Sequence, residues 1–185
     1  MLCHPIGRIP NKSTLPYSFR MLLCILYIIP NKYRRTFMEK ALADLIAKDE
    51  IIQVINLMVI NTDKRNWNKV RECFAPSVLF DMTGEAQRVS PGQITDGWET
   101  GLKELKAIHH QMGNFLIDLN GDQADVFCYG IAYHYLPNPS EKNTRVFVGS
   151  YDFHLLKLQD GWKIDSFKFN LKFIDGNKEL EKSRL

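Results

Sequence analysis

The second half of this chain constrains its fold most, because apolar residues recur there at every second position through four long runs, 109–119, 123–136, Thr144–Leu158 and 162–173. A period of two is the mark of a half-buried strand, since successive side chains point to opposite faces. Asn120-Gly121 separates the first two runs and Asp160-Gly161 the last two. Both are hairpin turn signals, so the runs predict antiparallel neighbours, with 137–143 as a looser loop.

The residues before them carry helical spacing instead. Ile51, Val54, Ile55, Met58 and Val59 mark one face of a helix that ends near Asn61, with Asp44 and Asp49 as candidate starts and 62–65 as a turn. A second short helix from Asn66 sets Trp67, Val70 and Phe74 on one side, and Ala75-Pro76 stops it. Val78, Leu79 and Phe80 begin a first strand that closes at Asp81. Ser90-Pro91 is a capped helix start, followed by Ile94, Trp98, Leu102 and Leu105 at helical spacing. The predicted order is helix, helix, strand, helix and four more strands, an α+β domain with its helices on one face of the sheet. On the run 123–136, Val126 and Cys128 face one way and Phe127, Tyr129, Ile131, Tyr133 and Tyr135 the other. Helices can cover only one of these faces, so the aromatic one is a candidate subunit interface, of a homodimer or homotrimer.

Composition limits the alternatives. A length of 185 residues and an apolar share of 45% suit one ordinary core. The net charge of +3 collects at the two ends of the chain rather than on one folded stripe, which argues against nucleic acid as a partner. The four cysteines, Cys3, Cys24, Cys73 and Cys128, show no paired spacing for zinc or a redox disulfide, which suits a reducing compartment such as the cytoplasm. Residues 1–37 differ in character: prolines interrupt them, and their apolar run 22–29 is far shorter than the ~20 residues that span a bilayer. They are read as an over-extended start or a disordered leader, with a secretory signal or anchor as the other reading. The domain is expected over 38–178, with a charged tail at 179–185.

Four stretches then carry a resemblance: Asp63-Lys64-Arg65-Asn66-Trp67, the strand ending Leu79-Phe80-Asp81, His110-Gln111-Met112-Gly113-Asn114, and Asp160-Gly161-Trp162-Lys163-Ile164. In order and spacing they resemble the SnoaL-like family of the nuclear transport factor 2-like superfamily, over roughly 43–175. The resemblance implies a cone, a curved sheet wrapped around the N-terminal helices with a small-molecule pocket at its wide end. Relatives include scytalone dehydratase, bile-acid dehydratases and polyketide cyclases, beside many with no known activity, so the fold does not select the function.

In the dehydratases that the chain resembles, an Asp after the first helix orients a His on the following hairpin, and that His moves the proton. Asp63 and His110 fall at those positions. Near neutral pH an imidazole can take a proton, and a carboxylate beside it fixes its tautomer. Asp63 is equally suited to a turn or helix cap, and a lone His such as His110 is more often a hydrogen-bonded structural residue. His109 alternates to the opposite face and reads as structural. Scytalone dehydratase is matched by polar type at Asp152, but its second His is replaced by Gly130 and its two pocket tyrosines by Thr62 and Met82. With Met58, those four residues are the implied substrate contacts. His134, near a strand end, reads as solvent-facing.

The expectation is a pocket for a small, largely apolar, cyclic molecule. Two functions compete: a lyase or isomerase that needs no metal or cofactor and uses Asp63 and His110, and a pocket or accessory subunit that binds without transforming.

Overall fold

The computed structural model describes residues 31–137 and 142–181 of the chain, with no account of the side chains of Asn31, Lys32 and Arg34. Of the expected leader 1–37, the part before Asn31, with Cys3, Cys24 and the run 22–29, lies outside those residues, as do most of the loop after Pro137 and the end of the charged tail, whereas 31–37 are helical. The described residues divide into two units, with the boundary between Leu45 and Ile46.

The first helix, α1, runs Asn31–Asp63, well upstream of the starts expected at Asp44 or Asp49. No Gly or Pro falls within it, so nothing in the backbone stops the helix from extending. Its stretch in the first unit carries two pairs at helical spacing, Arg35 to Glu39 and Lys40 to Asp44, each at 2.9 Å.

All remaining elements belong to the second unit. After α1 come α2 (Trp67–Arg71), β1 (Phe74–Asp81), β2 (Gln87–Val89), α3 (Pro91–Leu102), β3 (Ala107–Asn120), β4 (Gln123–Tyr135), β5 (Thr144–Leu158) and β6 (Gly161–Gly176). Among the described residues six strands form one sheet in the order β2-β1-β6-β5-β4-β3. Only β1 and β6 run parallel; the other neighbours are antiparallel. The result is the expected α+β class, a curved, open, mixed sheet with helices toward the N-terminus.

Two local readings are corrected. Ala75-Pro76 does not end a helix but lies inside β1, where the register to β6 shifts between Phe74 and Leu79. Such an irregularity removes the ladder bond that a proline cannot donate. The hairpin turn is one residue later than expected: Asn120 pairs with Gln123, leaving Gly121, at φ 62°, and Asp122 as the connection. Ser90 caps α3 as expected, its hydroxyl accepting from the Gln93 N–H while the Gln93 side chain reaches back to the Ser90 N–H.

Bulges within β3, between Gly113 and Leu116, and within the β5–β6 pairing at Val148/Gly149 and His154/Leu155 sharpen the twist and curl the sheet. Its inner face meets the C-terminal half of α1. Ile51, Ile55 and Met58 are fully enclosed with Val70, Val126, Cys128, Phe153, Leu155 and Ile164. Burying each such aliphatic group contributes about 1.5–3 kcal/mol, so this seam fixes where the end of α1 sits against the sheet.

Candidate functional site

The end of α1 is held from two directions. Arg65, in a left-handed turn conformation at φ 55°, sends its guanidinium to the carbonyls of Leu102 and Leu105, at 3.3 and 2.6 Å. That ties the α1–α2 turn to the link between α3 and β3. Asp63, the last residue of α1, then reaches β3: Oδ2 accepts the backbone N–H of His110 at 2.9 Å, and Oδ1 lies 2.6 Å from His110 Nδ1. The expected pair is therefore formed between residues 47 positions apart. The carboxylate can only accept, so the neutral ring carries its proton on Nδ1 and keeps a lone pair on Nε2. Among the described residues no hydrogen bond reaches that Nε2.

His110 lines a cavity of about 290 Å³ between α1, α3 and the inner face of the sheet. This lies at the small end of the range for small-molecule sites. Its walls are chiefly apolar: Met58 and Val59 from α1, Trp98 and Leu102 from α3, Met82 after β1, and Phe147, Tyr151, Phe167, Phe169 and Leu171 from the strands. The lining residues with polar side-chain groups are few: His110, His134, Thr62, Tyr151 and, through its indole N–H, Trp98. The Thr62 hydroxyl is already committed to the Met58 carbonyl at 2.8 Å. Burial raises the Tyr151 phenol well above its ordinary range, so that hydroxyl stays protonated.

Of the other implied contacts, Met58, Thr62 and Met82 line this cavity. Gly130 is on the inner face but behind the wall: a Cβ there would run into the Tyr151 ring and lie 2.9 Å from Met112 Sδ. Asp152 is not at the site. It pairs across from Phe127 on the outer face, between buried Tyr151 and Phe153, and accepts a hydrogen bond from Asn170 Nδ2 at 2.6 Å.

His134 reverses the sequence reading. It is 8% exposed and lines the cavity, because its ring is enclosed by Arg145 of β5 and by Phe147, whose ring centre is 5.0 Å away. Burial first, and then the positive Arg145 and the nearby His110, lower its pKa to about 4. The ring is neutral at pH 7. His109 takes the opposite, outer face against Tyr133, as expected.

A second His–Asp contact, His154 Nδ1 to Asp165 Oδ1 at 2.6 Å, is equally short. It sits on the outer face, opposite Asp125, away from the cavity. A short contact alone therefore does not distinguish a site; of the two histidines, only His110 lines the cavity. The thiols of Cys73 and Cys128 are both free and buried, and burial pushes them up to about 11 and about 12, far from a thiolate nucleophile. No group of three or more His, Cys, Asp or Glu side chains among the described residues could hold a metal ion, and no described helix is long and apolar enough to cross a membrane.

The SnoaL-like domain model matches residues 43–168. No curated protein matches the chain in sequence. Among solved structures, a protein from Kribbella flavida is similar at 19% identity and a TM-score of 0.69, over 77% of this chain and 99% of that one. An NTF2-like protein with a cystatin-like fold from Novosphingobium aromaticivorans is similar at 15% identity and 0.64, over 81% and 96%. The hexachlorocyclohexane dehydrochlorinase LinA-type3 from Novosphingobium barchaimii is similar at 12% and 0.60, over 75% and 92%.

Proposed function

Because the chain belongs to the SnoaL-like domain family, a family of small-molecule pockets, we propose that it is a lyase or isomerase in which His110, oriented by Asp63, takes a proton from a small, largely apolar, cyclic substrate. The observation that carries this is the 2.6 Å contact between Asp63 and His110 Nδ1 at the cavity wall, which leaves Nε2 as the proton acceptor. Asp63 steadies the ring as it becomes charged, the division of labour that general base catalysis needs. The apolar walls favour an uncharged substrate and keep bulk water from the proton in transit. In keeping with this, one protein of the same fold is by name a dehydrochlorinase, an elimination catalyst.

The competing reading is a binding pocket or accessory subunit that transforms nothing. It is favoured by Gly130, Thr62 and Met82, which stand where scytalone dehydratase, by the resemblance, has a second His and two tyrosines. Native mass spectrometry of the protein against a panel of cyclic ketones and alcohols, with turnover followed by NMR, separates the two. The catalytic reading expects at least one ligand that the wild type both binds and converts, and that His110→Gln still binds but no longer converts. Ligands bound and released unchanged by both proteins would leave the binding reading standing.

We also propose that the outer sheet face is a contact between copies of the chain. Tyr129, Tyr133 and Tyr135 of β4 remain more than a third exposed there, and Leu116 and Phe173 on neighbouring strands are exposed as well. Exposed apolar groups gathered on one face favour association.

A further inference from the structure

Two histidines enter the cavity from neighbouring strands, and their partners impose opposite tautomers on them. On β4, Ala132 faces His110 and His134 faces Ile108, so the two rings are diagonal neighbours on the inner face of the sheet. Asp63 only accepts, which puts the His110 proton on Nδ1. Arg145, the cross-strand partner of His134 on β5, can only donate, and its Nη2 lies 3.2 Å from His134 Nδ1. His134 Nδ1 must therefore be the lone pair, and the proton of the neutral ring sits on Nε2. No described residue bonds that Nε2.

Arg145 is itself anchored. Glu181 accepts from Nη2 at 2.6 Å and from Nη1 at 2.8 Å, and the Lys178 carbonyl accepts from Nη1 at 3.3 Å. Between them Leu180, wholly buried, packs with Leu105, Ile108 and Leu136. The segment after β6 thus fixes the guanidinium, the guanidinium fixes the imidazole, and the ring faces the cavity with a hydrogen-bond donor that stays neutral near pH 7.

We propose that His134 is a second catalytic residue, a fixed Nε2–H donor to the carbonyl oxygen of a largely apolar substrate whose α-carbon proton His110 removes. This rests on the assignment of His110 as the base. In the step, the α C–H pair becomes a C=C bond, the carbonyl π pair moves onto oxygen, and the proton goes to His110 Nε2. The developing oxyanion is held by His134, which keeps its own proton. The imidazolium of His110 then returns its proton in one of two ways. Where the enolate is conjugated with a further C=C, the proton goes to the γ-carbon, so that C=O re-forms and the double bond shifts, which isomerises the substrate. Otherwise it goes to a β-hydroxyl, so that the oxygen pair re-forms C=O, the enolate C=C pair becomes the Cα=Cβ bond and the Cβ–O bond breaks to release water. A neutral imidazole suits the donor role because it can polarise an oxygen without surrendering its proton. Arg145 acts as a positioning residue, since it works only through the tautomer of His134.

The probe is 2-tetralone, an apolar bicyclic ketone, incubated in D2O with the full chain, with α-deuterium incorporation followed by NMR and binding by native mass spectrometry. The wild type is expected to bind and exchange the ketone. His134→Phe should slow exchange by about 100-fold, as losing one oxyanion donor does, with binding within about threefold. His134→Gln, which restores an N–H, should recover about tenfold of that loss. Long-range proton–nitrogen correlation on histidine-labelled protein should find the His134 proton on Nε2, and a tautomer mixture in Arg145→Met. Wild-type exchange rates in His134→Phe, or a proton found on Nδ1 of His134, would overturn the donor role while leaving His110 as the base. If exchange in the wild type is unaffected by His110→Gln, the base assignment falls and this proposal with it. A wild type that does not bind or exchange the ketone overturns the carbonyl substrate class.

Discussion

Acid should unfold this protein through His134, and the size of the effect follows from the structure. An exposed imidazole titrates near 6.5, whereas burial beside Arg145 holds His134 near 4 in the folded chain. Between those values the unfolded chain binds a proton that the folded one refuses, so stability falls as the pH falls. The contribution is fully present above about pH 6.5, is lost progressively down to about pH 4, and changes no further below that. At about 1.4 kcal/mol per pH unit the gap amounts to roughly 3 kcal/mol, a large part of the stability of an ordinary domain. Glu181, which burial would raise but which the hydrogen bond from Arg145 holds below its ordinary value, adds a further loss below about pH 4.5. The perturbation that isolates His134 is His134→Gln, which cannot titrate and whose side-chain oxygen can still accept from Arg145. Urea unfolding followed by circular dichroism at pH 7, 6, 5 and 4.5 should show the wild type losing stability more steeply than the variant, with the two curves diverging by 2 kcal/mol or more, an order-of-magnitude expectation from the same linkage. Parallel curves would refute the reasoning, since they would mean that His134 takes up its proton in the fold as easily as outside it.

Trp98, whose ring lies 5.8–6.2 Å from those of Phe74, Phe80 and Phe167, should cost about 3–5 kcal/mol when replaced by Ala, and Trp67, packed partly buried on the same core, a similar amount; urea midpoints within about 1 kcal/mol of the wild type would mean that the helical faces carry no anchor there. Gly130→Ala should push the Tyr151 ring into the cavity and destabilise by about 1–3 kcal/mol, and ligand binding unchanged from the wild type would contradict the packing argument. Light scattering should find a dimer or larger closed oligomer that Tyr129→Glu or Ile131→Glu weakens, whereas a monomer at micromolar concentration would mean that the outer face needs no partner.

The long strands were legible in the sequence because alternation is a local property: β5 spans Thr144–Leu158 as expected, and the two faces of β4 separate where the aromatic and small residues alternate. Ser90 and Gln93 reveal a helix start for the same reason, since the whole device lies within four residues. The short strand β2 has no such pattern, as two of its three residues are exposed and only pairing with β1 defines it. Alternation also leaves open which face is inner, and the resemblance by polar type that implies Asp152 as a contact does not carry the registry that puts it opposite Phe127 on the outer face. The burial of His134 is not legible locally, because what encloses it is Arg145 on the next strand, held by Glu181 from 36 positions away. The contact of Asp63 with His110 was expected only from the resemblance, because nothing in either local sequence distinguishes a cap Asp or a structural His from a working pair.

The central claim, that Asp63 makes His110 a proton acceptor at the cavity, is tested most directly by locating the proton on the His110 ring in the free protein. Long-range proton–nitrogen correlation above pH 8, where an ordinary imidazole is neutral, should find it on Nδ1 in the wild type. In Asp63→Asn, whose amide offers both a donor and an acceptor, the enforced tautomer should give way to a mixture. A proton on Nε2 in the wild type, or the same tautomer with and without the carboxylate, would contradict the account, because His110 would then have no lone pair held toward the substrate.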